Sequence, residues 1–85
     1  MATGQVVFVS RNGGMIVVQH GDGFTLAELL GDEGAISVGD ILTANWTEVA
    51  GETIHGQTQQ FDAFFEGSWG NPRIPVEMAM RIGGG

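Results

Sequence analysis

The two histidines are the residues of this chain best suited to acid–base or metal chemistry. His20 lies two residues before Asp22, beside a Gly-Asp-Gly turn, and His55 lies much further along the chain. A histidine–aspartate pair joined by a second, distant histidine is a set of ligands that zinc accepts. The simpler interpretation is that His20 flanks a turn and that His55 lies on a solvated strand face. We favour the simpler interpretation and expect no metal site.

No other residues have the spacing that catalysis or cation binding requires. The three serines, Ser10, Ser37 and Ser68, fall in turn contexts rather than in a nucleophile elbow. The loop carboxylates between Asp22 and Asp40 lack the regular alternation and the late glutamate of a calcium loop. The paired glycines before the second and third strands are too short a motif to cradle phosphate at a helix N-terminus. We therefore expect a protein that is not an enzyme and that uses no cofactor.

Composition places the chain among small globular domains. It has 85 residues, of which 42% are hydrophobic and 15% are charged. A chain of this length forms one domain, which we expect to cover residues 1–82 and to end in a flexible tail at 83–85. Fifteen glycines and two prolines predict many tight turns, as in an all-β protein with short strands. The sequence shows no membrane-spanning apolar run and no export signal, so we expect a cytoplasmic protein.

The charge balance counts against binding to generic nucleic acid. Three arginines, no lysine and ten carboxylates give the chain a formal net charge of −7. Binding through phosphate contacts needs a basic surface that releases counterions. Arg11, Arg73 and Arg81 are too widely spaced to predict such a surface. A small site that holds a few nucleotides by base stacking is still compatible with this charge.

Short apolar runs rich in valine and isoleucine predict a three-stranded meander near the start of the chain. The predicted strands are Gln5–Ser10, Met15–His20 and Phe24–Leu30. Glycine-containing turns connect them, because glycine adopts positive φ without steric cost. A competing interpretation is a short helix that begins with the capping box of Thr25 and Glu28. We favour the strand, because its backbone has to pair with the second strand.

Alternation along the predicted strands assigns their side chains to faces. The first strand is apolar on both faces, because Val6 and Phe8 alternate with Val7 and Val9, and this is expected of a central barrel strand. In the third strand we expect Phe24 and Leu26 to point inward and Thr25 and Ala27 to point outward.

The clearest period-2 pattern lies in a fourth predicted strand, Ile41–Val49. Leu42, Ala44 and Trp46 share one face of it, and polar residues occupy the other. We expect Trp46 to be buried in the core. Its core partners should be three residues of the meander: Phe8, Val17 and Leu26.

A turn at Ala50–Glu52 and a long strand at Thr53–Glu66 follow in the prediction. The apolar positions of this segment change parity, since Ile54 is even-numbered whereas Phe61 and the apolar residues after it are odd-numbered. A slip of one residue inverts the faces of a strand. We therefore expect a bulge or a break near Gly56.

The order of strands and turns resembles a known family of small barrels. GQVVFVSRNGGMIVVQHGDGFTLAELL followed by ISVGDILTANW is similar to the cold-shock and related oligonucleotide-binding (OB) domains, over about residues 4–66. The resemblance implies an all-β barrel of five or six strands, and an SH3-like barrel is the alternative. Cold-shock domains carry aromatic and basic residues on strands two and three. This chain has Met15, Ile16, Val17 and Val18 there, followed by Thr25, Leu26 and Ala27, so it lacks their nucleic-acid-binding residues.

The end of the chain carries an apolar surplus. Alternating apolar residues at 74–82 predict a sixth strand, and Phe64 and Trp69 precede it. A five-stranded barrel has no evident place to bury this stripe. The strand either folds back over Phe64 in its own subunit or crosses to a second subunit, with the 67–73 loop as a hinge. We favour the crossing.

We therefore expect a non-catalytic binding or assembly module that forms a homo-oligomer or binds a protein partner. Aromatic residues and methionine are enriched in the cores of protein interfaces. The candidate interface residues are Phe64, Trp69, Ile74, Val76, Met78 and Met80. The alternative function is that of an OB-type binder of short single-stranded nucleic acid, which would use exposed aromatic residues such as Phe64 and Trp69.

Overall fold

The chain folds into a closed antiparallel barrel with one helix on its outer surface. A computed structural model describes residues 1–84, with six strands and one helix in that range. In chain order they are β1 (Ala2–Val9), β2 (Met15–His20), β3 (Gly23–Leu29), β4 (Ile41–Ala44), β5 (Ala50–His55), β6 (Gln60–Trp69) and α1 (Arg73–Gly83). The strands lie around the barrel in the order β1-β2-β3-β6-β5-β4, and β4 closes the barrel onto β1. The prediction of a small all-β barrel is confirmed, and its shape is compatible with an OB-like barrel.

The inside of the barrel is a continuous apolar core. The predicted inner face of the fourth strand is confirmed, because Leu42, Ala44 and Trp46 are all buried in this core. The parity change between β5 and β6 is also confirmed, since Ile54 and Phe61 lie in the same cluster. Thirteen buried residues form the cluster: Val6, Ile16, Val18, Ala27, Leu29, Ile36, Leu42, Ala44, Trp46, Ile54, Phe61, Ala63 and Phe65.

The predicted faces of the third strand are inverted in the structure. Ile16 pairs with Ala27 and Val18 pairs with Thr25 across the β2–β3 ladder. Directly opposite residues share a face, so Thr25 and Ala27 lie on the same side as Ile16 and Val18, inside the barrel. The predicted partners of Trp46 are wrong for the same reason. Phe8, Val17 and Leu26 belong to a second apolar cluster, which lies between the barrel and α1.

The segment from Ile41 to Glu66 contains two turns, and neither lies at the predicted Ala50–Glu52. The first follows Ala44, where the Glu48 N–H donates to the Asn45 carbonyl over 3.1 Å. The second is the break near Gly56, where the Gly56 N–H donates to the Gln59 carbonyl over 2.9 Å. The chain reverses there, so the predicted long strand is the β5–β6 hairpin. The break was predicted correctly, but the reversal was not.

A shift in the β3–β6 register changes the direction of the last residues of β6. Ala27 pairs with Phe65, whereas Leu26 pairs with Gly67, so Glu66 is the extra residue of a bulge. Beyond the bulge Trp69 lies opposite Phe24 and packs with it in the outer apolar cluster. A strand without the bulge would have turned Trp69 toward the inside.

The prediction of a sixth strand at 74–82 is wrong, because these residues form α1. The buried positions of the helix, Pro75, Ala79 and Gly83, are four residues apart and therefore lie on one face. Pro75 is tolerated because the first N–H groups of a helix have no intrahelical acceptor. Gly84 ends the helix in a left-handed conformation, at φ 82°. Of the predicted tail at 83–85, Gly83 is helical and buried, and residue 85 lies outside the described residues.

Helix α1 crosses the outer surface of β2 and β3 and reaches β6. Its buried residues are small, which lets the helix axis lie close to the sheet. Ala79 is fully buried against Met15, Val17 and Leu26 in the outer cluster. At the end of the helix the Asn12 N–H donates to the Gly83 carbonyl over 3.3 Å. The helix therefore covers the face of β2 and β3 that points away from the barrel core.

Candidate functional site

His20 is the histidine with a defined environment, at the end of β2. Its ring stacks on Trp46 with 6.2 Å between ring centroids and 12° between the planes. Its Nε2 lies 2.7 Å from Thr25 Oγ1, and the Asp22 N–H donates to its Nδ1 over 3.2 Å. The sequence paired His20 with Asp22, and the structure brings them together through the Asp22 backbone. Thr25 is the partner that the sequence analysis missed, since it assigned that side chain to the outside.

The hydrogen bonds fix the tautomer of His20. The Thr25 hydroxyl donates its one proton to the Trp46 carbonyl over 2.6 Å. Thr25 Oγ1 can therefore only accept a hydrogen bond from His20 Nε2. Nε2 therefore carries the proton and Nδ1 is the unprotonated acceptor. Burial lowers the pKa of His20 from its usual 6.5, and the Asp22 carboxylate acts in the opposite direction. Protonation of Nδ1 would also break its hydrogen bond with the Asp22 N–H.

Ser68 is the hydroxyl that lies near this histidine. Its Oγ is 3.4 Å from His20 Nε2, a long contact made by the β6 residue opposite Thr25. A histidine activates serine by accepting its proton, and the Nε2 of His20 already carries one. In a catalytic triad the orienting carboxylate accepts a hydrogen bond from the Nδ1–H group of the histidine. Here Nδ1 accepts from the Asp22 backbone N–H, and the Asp22 carboxylate is not bonded to it. The three residues are neighbours without the arrangement of a nucleophilic site.

The second histidine lies apart from the first. His55 ends β5, where it is opposite Thr43 and Gln60 and half-buried. Among residues 1–84 no group of three or more histidine, cysteine or carboxylate side chains is placed to hold a metal ion. The absence of a metal site or a cofactor stays a prediction.

A surface depression whose lining does not include His20 offers little chemistry. One end of the barrel has a cavity of about 360 Å³, whose lining includes Asp40 and the amides of Gln57 and Gln59. The Asp40 carboxylate accepts the Ser37 N–H over 2.9 Å. The polar side chains of this cavity are therefore uncharged amides and one carboxylate that is hydrogen-bonded within its own loop. Among the described residues, the lining of this cavity has no paired acid and base groups.

An exposed aromatic side chain lies on β6. Phe64 is 40% exposed, although it occupies the middle of a strand that is paired on both sides. Its neighbours across the ladders are Glu28 on β3 and Gly51 on β5. Because Gly51 has no side chain, one flank of the ring is left open. Asp62 and Glu66 lie two residues before and after it and are exposed.

We call this surface the Phe64 face; it consists of Glu28, Asp62, Phe64 and Glu66. It is an apolar ring among three exposed carboxylates. None of the three arginines lies on the strands that form it. Three of the ten carboxylates of the chain therefore surround Phe64, the one phenylalanine that is exposed within residues 1–84.

The outer side of α1 also carries exposed apolar residues. Ile74 and Met80 are each 45% exposed. They flank a row of charged residues, Arg73, Glu77 and Arg81, which are four apart and therefore share one side of the helix. Arg73 Nε lies 3.9 Å from Glu77 Oε1, which is an exposed and hence weak ion pair. We call these five residues the helix face.

The six predicted interface residues fall into two groups. Trp69, Val76 and Met78 are partly buried and pack against the outer apolar cluster of their own chain. Phe64, Ile74 and Met80 are exposed on the Phe64 face and the helix face. The structure therefore supplies an intramolecular role for the first three and leaves the other three uncovered.

No family model, no curated protein and no solved structure matches this chain. Within residues 1–84 no helix has the length and apolar character needed to cross a membrane. The cytoplasmic location stays a prediction.

Proposed function

We propose that this protein is a non-catalytic assembly module that self-associates through its exposed apolar residues. The observation that supports the proposal is the exposure of Phe64 in the middle of a fully paired strand. Burying a phenylalanine side chain stabilises a protein by about 1.5–3 kcal/mol, so leaving one in water forgoes that stabilisation. Phe64, Ile74 and Met80 are three such residues, and contact with a second surface would bury all of them.

The arrangement at His20 supports the non-catalytic part of the proposal. The histidine has both ring nitrogens engaged within its own chain, in a tautomer that cannot deprotonate Ser68. Its stacking on Trp46 ties it to the barrel core. These contacts give His20 a structural role at the end of the barrel.

Two observations count against the alternative, an OB-type binder of single-stranded nucleic acid. The outer face of strands two and three, where cold-shock domains carry their aromatic and basic residues, is covered by α1 and is lined by Met15, Val17 and Leu26. The exposed Phe64 could stack on a base, but three carboxylates surround it. They would repel phosphate groups, and little counterion release would offset that repulsion.

Sedimentation velocity tests the proposal. The protein should sediment as a monomer at micromolar concentration and as a larger species at higher concentration. Phe64→Ser should weaken this association, because it removes the central apolar group. Val38→Ser is the matched control: Val38 is exposed in the loop between β3 and β4, which belongs to neither face, and its replacement should leave association unchanged.

A monomer throughout the concentration range would overturn the proposal. Binding of a short labelled oligonucleotide that is lost in Phe64→Ser would instead support the alternative function. Both measurements need only the purified chain, and circular dichroism would show that each variant is folded.

A further inference from the structure

The Phe64 face and the helix face differ in the charged residues that they carry. Arg73 and Arg81 lie on the helix face, and Arg11 lies in the β1–β2 turn. The Asn12 N–H donates to the Gly83 carbonyl, so this turn adjoins the end of α1 that carries Arg81. The three arginines of the chain thus lie on or next to the helix, whereas the Phe64 face has three carboxylates.

Within residues 1–84 the pairing of these charges is incomplete. The one ion pair shorter than 4 Å in this part of the chain joins Arg73 to Glu77. Arg11 and Arg81 are exposed and have no carboxylate partner among the described residues. The helix face and the adjoining turn therefore present positive charge that could pair with a carboxylate from outside the chain.

We propose that two copies of this chain pair reciprocally, with the helix face of each copy on the Phe64 face of the other. This inference rests on the proposed function and specifies which surfaces make the contact. Arginines and methionine of one copy would meet carboxylates and phenylalanine of the other, so charge and apolar character are both complementary. Pairing of the Phe64 face with itself would oppose carboxylates to carboxylates. On the helix face Glu77 lies between Arg73 and Arg81, and the two arginines outnumber it.

The two faces are neighbours on the surface, which permits a reciprocal contact about a two-fold axis. Ile82 of α1 and Glu28 of β3 line one shallow depression of about 150 Å³. Glu28 lies directly opposite Phe64 in the β3–β6 ladder. A two-fold axis between the faces would therefore place each helix over the Phe64 face of its partner, beside the partner's own helix. Closed two-fold dimers are the commonest oligomers of soluble proteins.

The size of the protein is compatible with such a dimer. A standard interface buries about 800 Å² on each partner. That would be about a sixth of this protein's accessible surface of 4563 Å². Phe64, Ile74 and Met80 would supply the apolar centre of the interface, with arginines and carboxylates at its rim.

Charge-reversal variants in sedimentation equilibrium test the pairing of the two faces. Arg73→Glu/Arg81→Glu reverses the helix face, and Asp62→Arg/Glu66→Arg reverses the Phe64 face. Each pair of substitutions should weaken dimerisation about tenfold or more, because like charges then meet at both halves of the interface. A chain with all four substitutions should dimerise again, and so should an equimolar mixture of the two doubly substituted chains. All the replaced residues are exposed, and circular dichroism would check that each variant is folded.

The outcomes separate this inference from the proposed function. A wild-type protein that stays monomeric refutes both. A wild-type dimer that the reversals do not weaken, or that the fourfold variant does not restore, refutes the pairing of these faces while self-association stands. Wild-type species larger than a dimer refute the reciprocal geometry.

Discussion

Replacing Trp46 by alanine should strongly destabilise the protein. The indole is 2% exposed and lies between two rings, 5.6 Å from Phe65 and 6.2 Å from His20. Its N–H donates to the Ala2 carbonyl over 2.7 Å and ties β1 to the turn after β4. Removing the ring leaves a cavity in the stack and a carbonyl without its donor.

The loss of free energy of unfolding in Trp46→Ala follows from these contacts. Truncation of a buried tryptophan costs about 3–5 kcal/mol, and loss of the hydrogen bond adds about 1 kcal/mol. A domain of this length has a total stability of about 4–13 kcal/mol, at about 0.05–0.15 kcal/mol per residue. Trp46→Ala should therefore remove a large fraction of the free energy of unfolding and leave part of the population unfolded without denaturant.

Urea denaturation followed by circular dichroism measures this effect without relying on tryptophan fluorescence. Trp46→Phe is the control, because it keeps a ring between Phe65 and His20 and removes the indole N–H. It should lower the free energy of unfolding by less than half as much as the alanine variant does. A Trp46→Ala protein within about 0.5 kcal/mol of the wild type, the range expected of surface substitutions, would refute the assignment of Trp46 to the core.

Three further predictions concern the turn beneath α1 and the environment of His20. Gly83→Ala should lower the free energy of unfolding by about 1–3 kcal/mol, because a Cβ there would overlap the buried Ser10 side chain, and denaturation in urea would measure it. Thr25→Val should cost about 1–3 kcal/mol in the same assay, because it leaves the Trp46 carbonyl without its donor. The lowered pKa of His20 means that the unfolded chain binds a proton more readily than the folded chain. The contribution of His20 to stability should thus be complete above its usual pKa of 6.5, fall as the pH falls toward the lowered pKa, and level off below it. The difference in urea midpoint between the wild type and His20→Asn should follow this course, and a difference that grows in favour of the wild type on acidification would contradict it.

Period-2 alternation in the sequence was enough to predict the buried faces of β4 and of the part of β6 before its bulge. The buried face of β4 and the odd-numbered face of β6 were predicted correctly, as at Leu42 and Phe61. Which side chains of β3 point into the barrel depends on which residues of β2 lie opposite them, and the sequence does not specify that pairing. Burial of Thr25 also needs an acceptor, the Trp46 carbonyl, which lies 21 positions away along the chain.

The helix could have been predicted from a different signal in the same residues. Apolar residues at every second position of 74–82 match a strand, but the small or buried residues Pro75, Ala79 and Gly83 recur every fourth position. Proline in the first turn and glycine at the end are typical of a helix. The helical pattern is the one that tertiary packing favours, because the outer face of β2 and β3 is apolar and needs a cover.

Because residues 74–82 form a helix and not a strand, an interface would lie at a different surface from the one that the sequence predicts. A sixth strand would have presented its whole apolar stripe to a second subunit. Helix α1 packs Val76 and Met78 against its own barrel and leaves Ile74, Met80 and Ile82 exposed, together with Phe64 on the neighbouring strands. The candidate site is therefore smaller than the sequence predicted, and it combines apolar contacts with opposite charges.

The concentration dependence of the amide spectrum tests most directly whether the Phe64 face and the helix face are contact surfaces. Spectra of uniformly ¹⁵N-labelled protein, recorded from low micromolar to millimolar concentration, report each backbone amide separately. We expect concentration-dependent shifts or broadening at 62–66 and 73–82, with little change in the loop around Val38. A spectrum that is independent of concentration, or changes confined to residues outside the two faces, would show that the Phe64 face and the helix face are not contact surfaces.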